Sequence, residues 1–464
     1  MTTTDTTFSS IDALRRAVRG TVHVAGEPGF DQAHAIFYRY LHADPLLVVT
    51  AVTAEDVSRA VTFAVEQGLE IAVRSGGHSG AGHGSVDGGL VIDLSGLDAI
   101  DVDVDARTVT AGTGATAGAV TAATGEHGLA VGFGDTGSVG VGGITTGGGV
   151  GFLSRAHGLT IDNVLSAQVV TADGTVHEVD TKHEPDLFWA VRGGGGNVGV
   201  VTRFTFRAHE VPQIVGGLLV LPATPEALAG LVRAVSEAPE ALGAIVNVMP
   251  SPPVPFVPAE LHGHLVVFSL LAFNGPPEQA EPVLARLRAV AEPIADLIQP
   301  MPYAGLFQEP DGDYRPVATS TTGFAQGFGV EDAAHAIDVL TERLADPDVQ
   351  MTVLQLRPLG GAIARVAPDQ TAYAHRSWPL MFNVAAIVGS IDDLAGQRGW
   401  IDDLGADVAK GTPGAYVGFS IDDHEDAVHR IYPGATYDRL AAIKRQRDPD
   451  NVFHRNHNVP PAAG

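Results

Sequence analysis

The sequence predicts an α+β protein of more than one domain, on three observations. At 464 residues the chain exceeds one ordinary core, and length alone suggests roughly two to four domains. Short apolar strands alternate with helices through the first third. From Pro212 onward glycine thins, a Pro-rich break appears at 251–258, and long amphipathic helices lie between strands. A boundary is therefore expected near 212.

The elements follow in order. Residues 46–52 read as a buried strand, and Thr53 with Asp56 three positions on forms a capping-box-like helix start. Val57, Val61, Ala64 and Val65 share one helical face, and Gly68 ends the helix before a strand at 71–73. Strands at 90–94 and 107–111 precede a helix across 115–127. Asp173-Gly174 joins 166–172 to 175–180 as a two-residue hairpin, and 200–206 is again rich in β-formers. Beyond 212, strands are expected at 263–272 and 351–357, with helices near 226–235, 278–290 and 331–344. A last helix from Tyr437 keeps Leu440, Ile443 and Lys444 in phase and stops at Asp448-Pro449-Asp450-Asn451. Its amide-dense tail, 456–461, is expected to dock rather than fray.

Composition excludes several function classes. The chain carries 54 acidic against 28 basic residues, a net charge of −26, which repels nucleic-acid backbones and anionic membrane surfaces and favours solubility. With no cysteine, disulfide frameworks, thiolate metal sites and cysteine nucleophiles are out. Met1 to Asp5 show no basic segment leading into an apolar one, and apolar runs such as 215–221 fall short of the ~20 residues that cross a bilayer, so a cytoplasmic location is expected. No histidine–carboxylate spacing gathers three metal ligands; His424 and His429 beside Glu425 and Asp426 read as a solvated helix face.

Glycine carries the chemistry. Residues 74–89 hold seven glycines around His78 and His83, and successive backbone N–H groups in such a loop form an anion-binding nest. From the residues alone His78 is either functional or an exposed loop histidine. Further clusters lie at 132–151 and at 193–196 with Gly199, each beside strands. Three clusters around one extended ligand fit a diphosphate-bearing dinucleotide. Residues 194–199 satisfy G-x-G-x-x-G literally, yet a helix precedes them and a strand follows, the reverse of the Rossmann order. Asp135-Thr136-Gly137 mimics an aspartic-protease signature, but no second such triplet exists to share a proton with it.

Four blocks together resemble the FAD-linked oxidases of the vanillyl-alcohol-oxidase superfamily, berberine-bridge-enzyme-like branch, in the bacterial, singly histidyl-linked form. They are Arg-Ser-Gly-Gly-His-Ser at 74–79 with 88–95; 140–153 with His157-Gly158-Leu159 and Asp162-Asn163-Val164; 186–202; and Tyr437 to Leu440 with Asp448-Pro449, Asn451, Phe453, Asn456 and Asn458. The resemblance implies a two-part FAD-binding domain from 1–212, completed by a C-terminal segment, 421–464. Between them, 213–420 would form an inserted α/β substrate domain whose helix-covered sheet roofs the isoalloxazine. It implies FAD bonded covalently to His78. The cofactor contacts would come from Arg74, Ser75, Gly76, Gly77, Ser79, Asp135, Thr136, Gly137, Val139, Gly142, Gly143, Gly147, Gly148, Gly199, Val200, Val201, Asn456 and Asn458. Such a bond holds the flavin and raises its potential.

Two departures from the family pattern shape the expected function. Doubly linked relatives have a cysteine where this chain has Thr136, so a single link is expected, and weight moves from oligosaccharides to amines, alcohols or secondary metabolites. The proton-accepting position falls on Ala385, and a later Ala-Tyr-x-Asn-Tyr segment reads Ala415-Tyr416-Val417-Gly418-Phe419. Gln355 and Arg357, two apart on one strand, share a face that either orients substrate, with Asn383, Tyr373 or Tyr416, or merely solvates the sheet. The expected activity is hydride transfer from a small molecule to FAD, with O2 as acceptor and no nucleic-acid or membrane partner. Oxidative cyclisation or desaturation, and a non-catalytic flavin-binding role, remain alternatives.

Overall fold

A computed structural model describes residues 11–307 and 314–463; Met1 to Asp5, inspected above for a leader, lie outside them. The first sheet orders Thr21–Val24, Leu47–Thr50, Leu90–Asp93 and Ile71–Arg74, the last three mutually parallel. The helix Ala54–Gln67 links two of them. Thr53 Oγ1 accepts from the Asp56 N–H, Asp56 returns the bond to the Thr53 N–H, and Gly68 closes the helix at φ +64°. Val57, Val61 and Ala64 pack inward with Ala60, whereas Val65, expected on that face, is 48% exposed. At 100° per residue it lies one step beyond Ala64, off the buried stripe.

A five-stranded antiparallel sheet follows: Ile100–Asp103, Thr108–Gly112, Val200–Arg207, Val164–Val170 and Val176–Val179 in spatial order. Gly174, at φ +78°, turns the hairpin between the last two. The helix expected across 115–127 is shorter, Ala117–Gly125, because the Thr116 hydroxyl caps it by accepting from Ala119 N–H. The C-terminal helix Ala435–Arg447 packs Leu440, Ala441 and Ile443 into the core that holds Phe204 and Phe206, and Val459 joins it. The tail therefore docks: the Asn197 amide donates to His457 O and accepts from the Val459 N–H.

The remaining large sheet contains Ile214–Pro222, Leu265–Phe273, Leu242–Pro250, Val349–Pro358, Leu380–Val388 and Val317–Ala325, neighbours in that order and antiparallel throughout. Ile214–Pro222 runs parallel to Leu242–Pro250 through the helix Pro225–Glu237, and Val317–Ala325 runs parallel to Val349–Pro358 through Val330–Leu344, each pair with one antiparallel strand between them, so two split βαβ crossovers build the expected α/β layer. Strand alternation decides what each face meets. Leu354, Leu356, Phe382, Val384 and Ala386 point into a core shared with the helices Pro225–Glu237, Val330–Leu344 and Leu394–Ala409. Gln355, Arg357, Asn383 and Ala385 occupy the opposite face. Among the described residues no helix is long and apolar enough to cross a membrane, and no cluster of three metal-ligating side chains occurs.

Candidate active site

The strand Ile71–Arg74 ends where the glycine-rich loop begins, and Arg74 fixes that junction through an ion pair with buried Asp93 at 3.0 Å and a hydrogen bond to Ala35 O. Ser75 Oγ donates to Thr113 O and accepts from the Gly142 N–H at 3.2 Å, tying the first glycine cluster to the second. Gly76 and Gly140 meet back to back there; a Cβ on Gly140 would lie 2.1 Å from Ser75 Oγ. Glycine is required because the two backbones approach too closely for any side chain.

Between the glycine clusters and the sheet face lies a cavity of about 570 Å³. On its wall, the His78 ring stacks on Phe37 with centroids 4.4 Å apart. Burial drives its pKa down from 6.5 to about 4, with a backbone hydrogen bond at Ser138 opposing that shift and Arg315 adding to it. His78 is thus a neutral imidazole with a lone pair available to an electrophile.

The sheet contributes a chain of hydrogen bonds. The Gln355 amide donates to Asn247 Oδ1 at 3.0 Å and accepts from Arg357 Nε at 2.7 Å. Arg357 continues to Val150 O at 3.2 Å and to the Asp135 carboxylate, with its guanidinium 4.9 Å from the Phe419 ring centroid. Gln355 and Arg357 do share the cavity face, but three of the five guanidinium N–H donors already serve the protein. Asn383 Oδ1 is buried without a partner on the same wall. The Tyr416 ring lines the cavity while its hydroxyl accepts from the N–H groups of Gly149 and Val150, an arrangement that holds the loop.

Of the cofactor contacts expected from sequence, Arg74 to Ser79, Asp135, Thr136, Val139, Gly142, Gly143, Gly147, Gly199, Val200, Val201 and Asn456 line this cavity. Three do not, and each is engaged elsewhere. Gly137 O accepts from Gly118 N–H, Gly148 lies under the Tyr373 ring, and Asn458 Oδ1 accepts from Lys444 Nζ at 3.0 Å. Tyr373 is likewise buried in the core at 3% exposure and off the wall. Sequence reasoning missed Phe37, Tyr38, Tyr40, Ser320 and Arg455, which also line it. Three aromatic residues in the four positions 37–40 of a chain only 6% aromatic were the available signal for the first group.

The wall suits a dinucleotide. His83 Nε2, Tyr432 Oη, Asn456 Oδ1 and His457 Nδ1 are buried polar atoms without protein partners, and all four residues face the cavity. Leaving such groups unmade costs roughly 1–3 kcal/mol each, so a polar ligand is the natural complement. A Cβ on Gly143 would project into open space on that wall, as expected where backbone approaches a ligand.

The buried histidines also predict how stability responds to acid. Burial pushes His209 and His375 down to about 4 and His83 to about 3, all from 6.5. Below pH 6.5 the unfolded chain takes up protons that the folded chain refuses until near pH 4. Stability therefore falls as pH drops through that window. Thermal unfolding of the holoprotein should show a Tm that declines steadily from pH 7 to pH 5; a flat profile would contradict these environments.

Residues 45–180 match the family model for an FAD binding domain, and residues 415–460 match the berberine and berberine-like model. The chain is similar to (R)-6-hydroxynicotine oxidase of Paenarthrobacter nicotinovorans, 29% identical over 98% of this chain and 99% of that protein. Among solved structures it resembles 6-hydroxy-D-nicotine oxidase from Arthrobacter nicotinovorans, with a TM-score of 0.84, 27% identity, and coverage of 96% and 98% of the two chains. A glucooligosaccharide oxidase from Acremonium strictum, described with 6-S-cysteinyl, 8α-N1-histidyl FAD, shares the fold at TM-score 0.84 and 23% identity, covering 98% of this chain and all of that one, 100%.

Proposed function

This chain belongs to the FAD-linked oxidoreductases that pair an FAD binding domain with a berberine-like C-terminal segment, and from that premise we propose that it carries FAD on a single covalent bond from His78 and oxidises a small organic molecule with O2 as acceptor. The observation that carries the covalent reading is the state of His78: a neutral ring, held flat against Phe37 on the cavity wall. A second bond of the cysteinyl kind is closed to a chain without cysteine, in which Thr136 lines the same wall.

FAD, when bound, supplies the two-electron acceptor. The protein's part is to bind, orient and keep dry. Phe37, Tyr38 and Tyr40 offer aromatic surface, while Ser320 and Asn383 offer hydrogen-bonding groups beside Ala385. This mix of flat apolar surface with few polar points suits a compact amine, alcohol or secondary metabolite better than a polyhydroxylated chain.

Acid precipitation tests the linkage. Yellow colour should stay with the wild-type pellet and pass to the supernatant for His78→Ala. Colour that leaves the wild-type pellet overturns the covalent bond, and a colourless protein produced with ample flavin overturns the assignment of FAD. Peroxide release across amines, alcohols and sugars then reads the substrate class.

A further inference from the structure

We propose that Asp135 is the catalytic residue that accepts the substrate's N–H or O–H proton, taking the place that Ala385 leaves vacant. The assignment rests on the oxidase reading above.

Asp135 is the only carboxylate on the cavity wall among the described residues. Its loop is the one whose Ser138 backbone bonds to His78, so the same turn serves the flavin-bearing histidine and presents the carboxylate. From the other side Arg357, on the substrate-facing sheet, grips Asp135 Oδ2. Oδ1 accepts only from the Thr136 hydroxyl, at 3.2 Å, which leaves it a lone pair, and the side chain is 24% exposed. The carboxylate is therefore held where the glycine loop meets the sheet.

The phenols, the arginine and the amide on the wall are unsuited to the task. Burial raises Tyr38 to about 12 and raises Tyr40, so both phenols stay protonated, and the Tyr40 hydroxyl is spent on Ala318 O. The Tyr416 hydroxyl is committed to two backbone N–H groups. Arg357 has no lone pair to offer, and an amide such as Asn383 is no base at neutral pH.

In the step itself, the substrate C–H bond breaks and its hydrogen leaves with both electrons as hydride to FAD. The N–H or O–H bond gives its proton to Asp135 Oδ1, and its electron pair closes the C=N or C=O bond. FAD is reduced by two electrons, and Asp135 later returns the proton to solvent.

Sulfite tests this without a known substrate, because the anion adds to oxidised flavin in the holoenzyme and bleaches its colour. If the Asp135 charge faces the reacting position, Asp135→Asn should bind sulfite roughly ten-fold more tightly. Glu178→Gln, which removes an exposed carboxylate paired with Arg203, should match wild type. With any compound that the peroxide panel identifies, anaerobic flavin reduction in Asp135→Asn should slow by roughly a hundred-fold or more. Asp135→Glu keeps the charge but moves the acceptor, so its sulfite affinity should stay while reduction slows; it serves also if the Asn variant does not accumulate. Unchanged sulfite affinity in Asp135→Asn, or unchanged reduction in either variant, overturns the assignment. A colourless wild type or a silent panel would instead count against the functional reading, and sulfite alone would then decide the placement of Asp135 in any flavin-loaded protein.

Discussion

Asp162→Ala is expected to destabilise the holoprotein by about 3–5 kcal/mol, the usual cost of stranding one partner of a buried ion pair. Arg376 Nη1 and Nη2 donate to the two Asp162 oxygens at 2.8 Å each, with Arg376 1% and Asp162 8% exposed. Asp162 also accepts from the Leu159 N–H, and Arg376 donates to Thr371 Oγ1. The pair thus joins the turn Thr160–Asn163 to the segment that places Tyr373 over Gly148 and Gly193. Two readouts follow: chemical denaturation should report the loss, and flavin content should fall as the second and third glycine clusters lose their backing. Asp162→Ala combined with Arg376→Met should cost less than Asp162→Ala alone, since no unpaired charge remains. Single-variant stability equal to wild type would show that water reaches Arg376 readily.

Lys444→Met is expected to cost a similar amount, about 3–5 kcal/mol, and to loosen the cofactor from the opposite end. Lys444 and Asp448 are both fully buried and 3.5 Å apart. Lys444 Nζ donates to Phe453 O at 2.7 Å and to Asn458 Oδ1 at 3.0 Å, while Asp448 accepts from the N–H groups of Val452 and Phe453. Burial outweighs the Asp448 charge and draws the lysine down to about 8. These bonds shape the turn that delivers Arg455, Asn456 and His457 to the cavity, where Arg455 Nε donates to Ser85 O in the first glycine loop. Lys444→Met should therefore raise the sensitivity of the tail to protease and lower flavin occupancy. Adding Asp448→Asn should recover part of the stability. A tail as protected as in wild type would show that Asn197 alone suffices to dock it.

Lys444 illustrates what sequence reading reaches. Its phase with Leu440 and Ile443 marks it as inward-facing, but helical phase says nothing of the partner that makes burial tolerable. That partner, Asp448, belonged to what read only as a helix stop. Asn458 has the same lesson in reverse: its motif suggested a flavin contact, and the folded tail gives its oxygen to Lys444 instead. The Thr53 capping box, the Asp173-Gly174 hairpin and the glycine loop around His78 were legible because each is specified by residues within a few positions of one another.

By itself, then, the sequence determined the α+β texture, many of the strand and helix positions but not the strands Leu242–Pro250 and Val317–Ala325 or the helix Leu394–Ala409, the reversed glycine order that ruled out a Rossmann site, and the absence of any cysteine. The resemblance of four separated blocks pointed to FAD. Tertiary structure alone decided which face of the large sheet meets the cavity, which glycines line it, and that Asp135 faces Arg357 across 222 positions of chain. The physical reason is range. Periodicity, capping and turn chemistry act between near neighbours, whereas an ion pair or a cavity wall exists only after hydrophobic burial has brought distant strands and loops together.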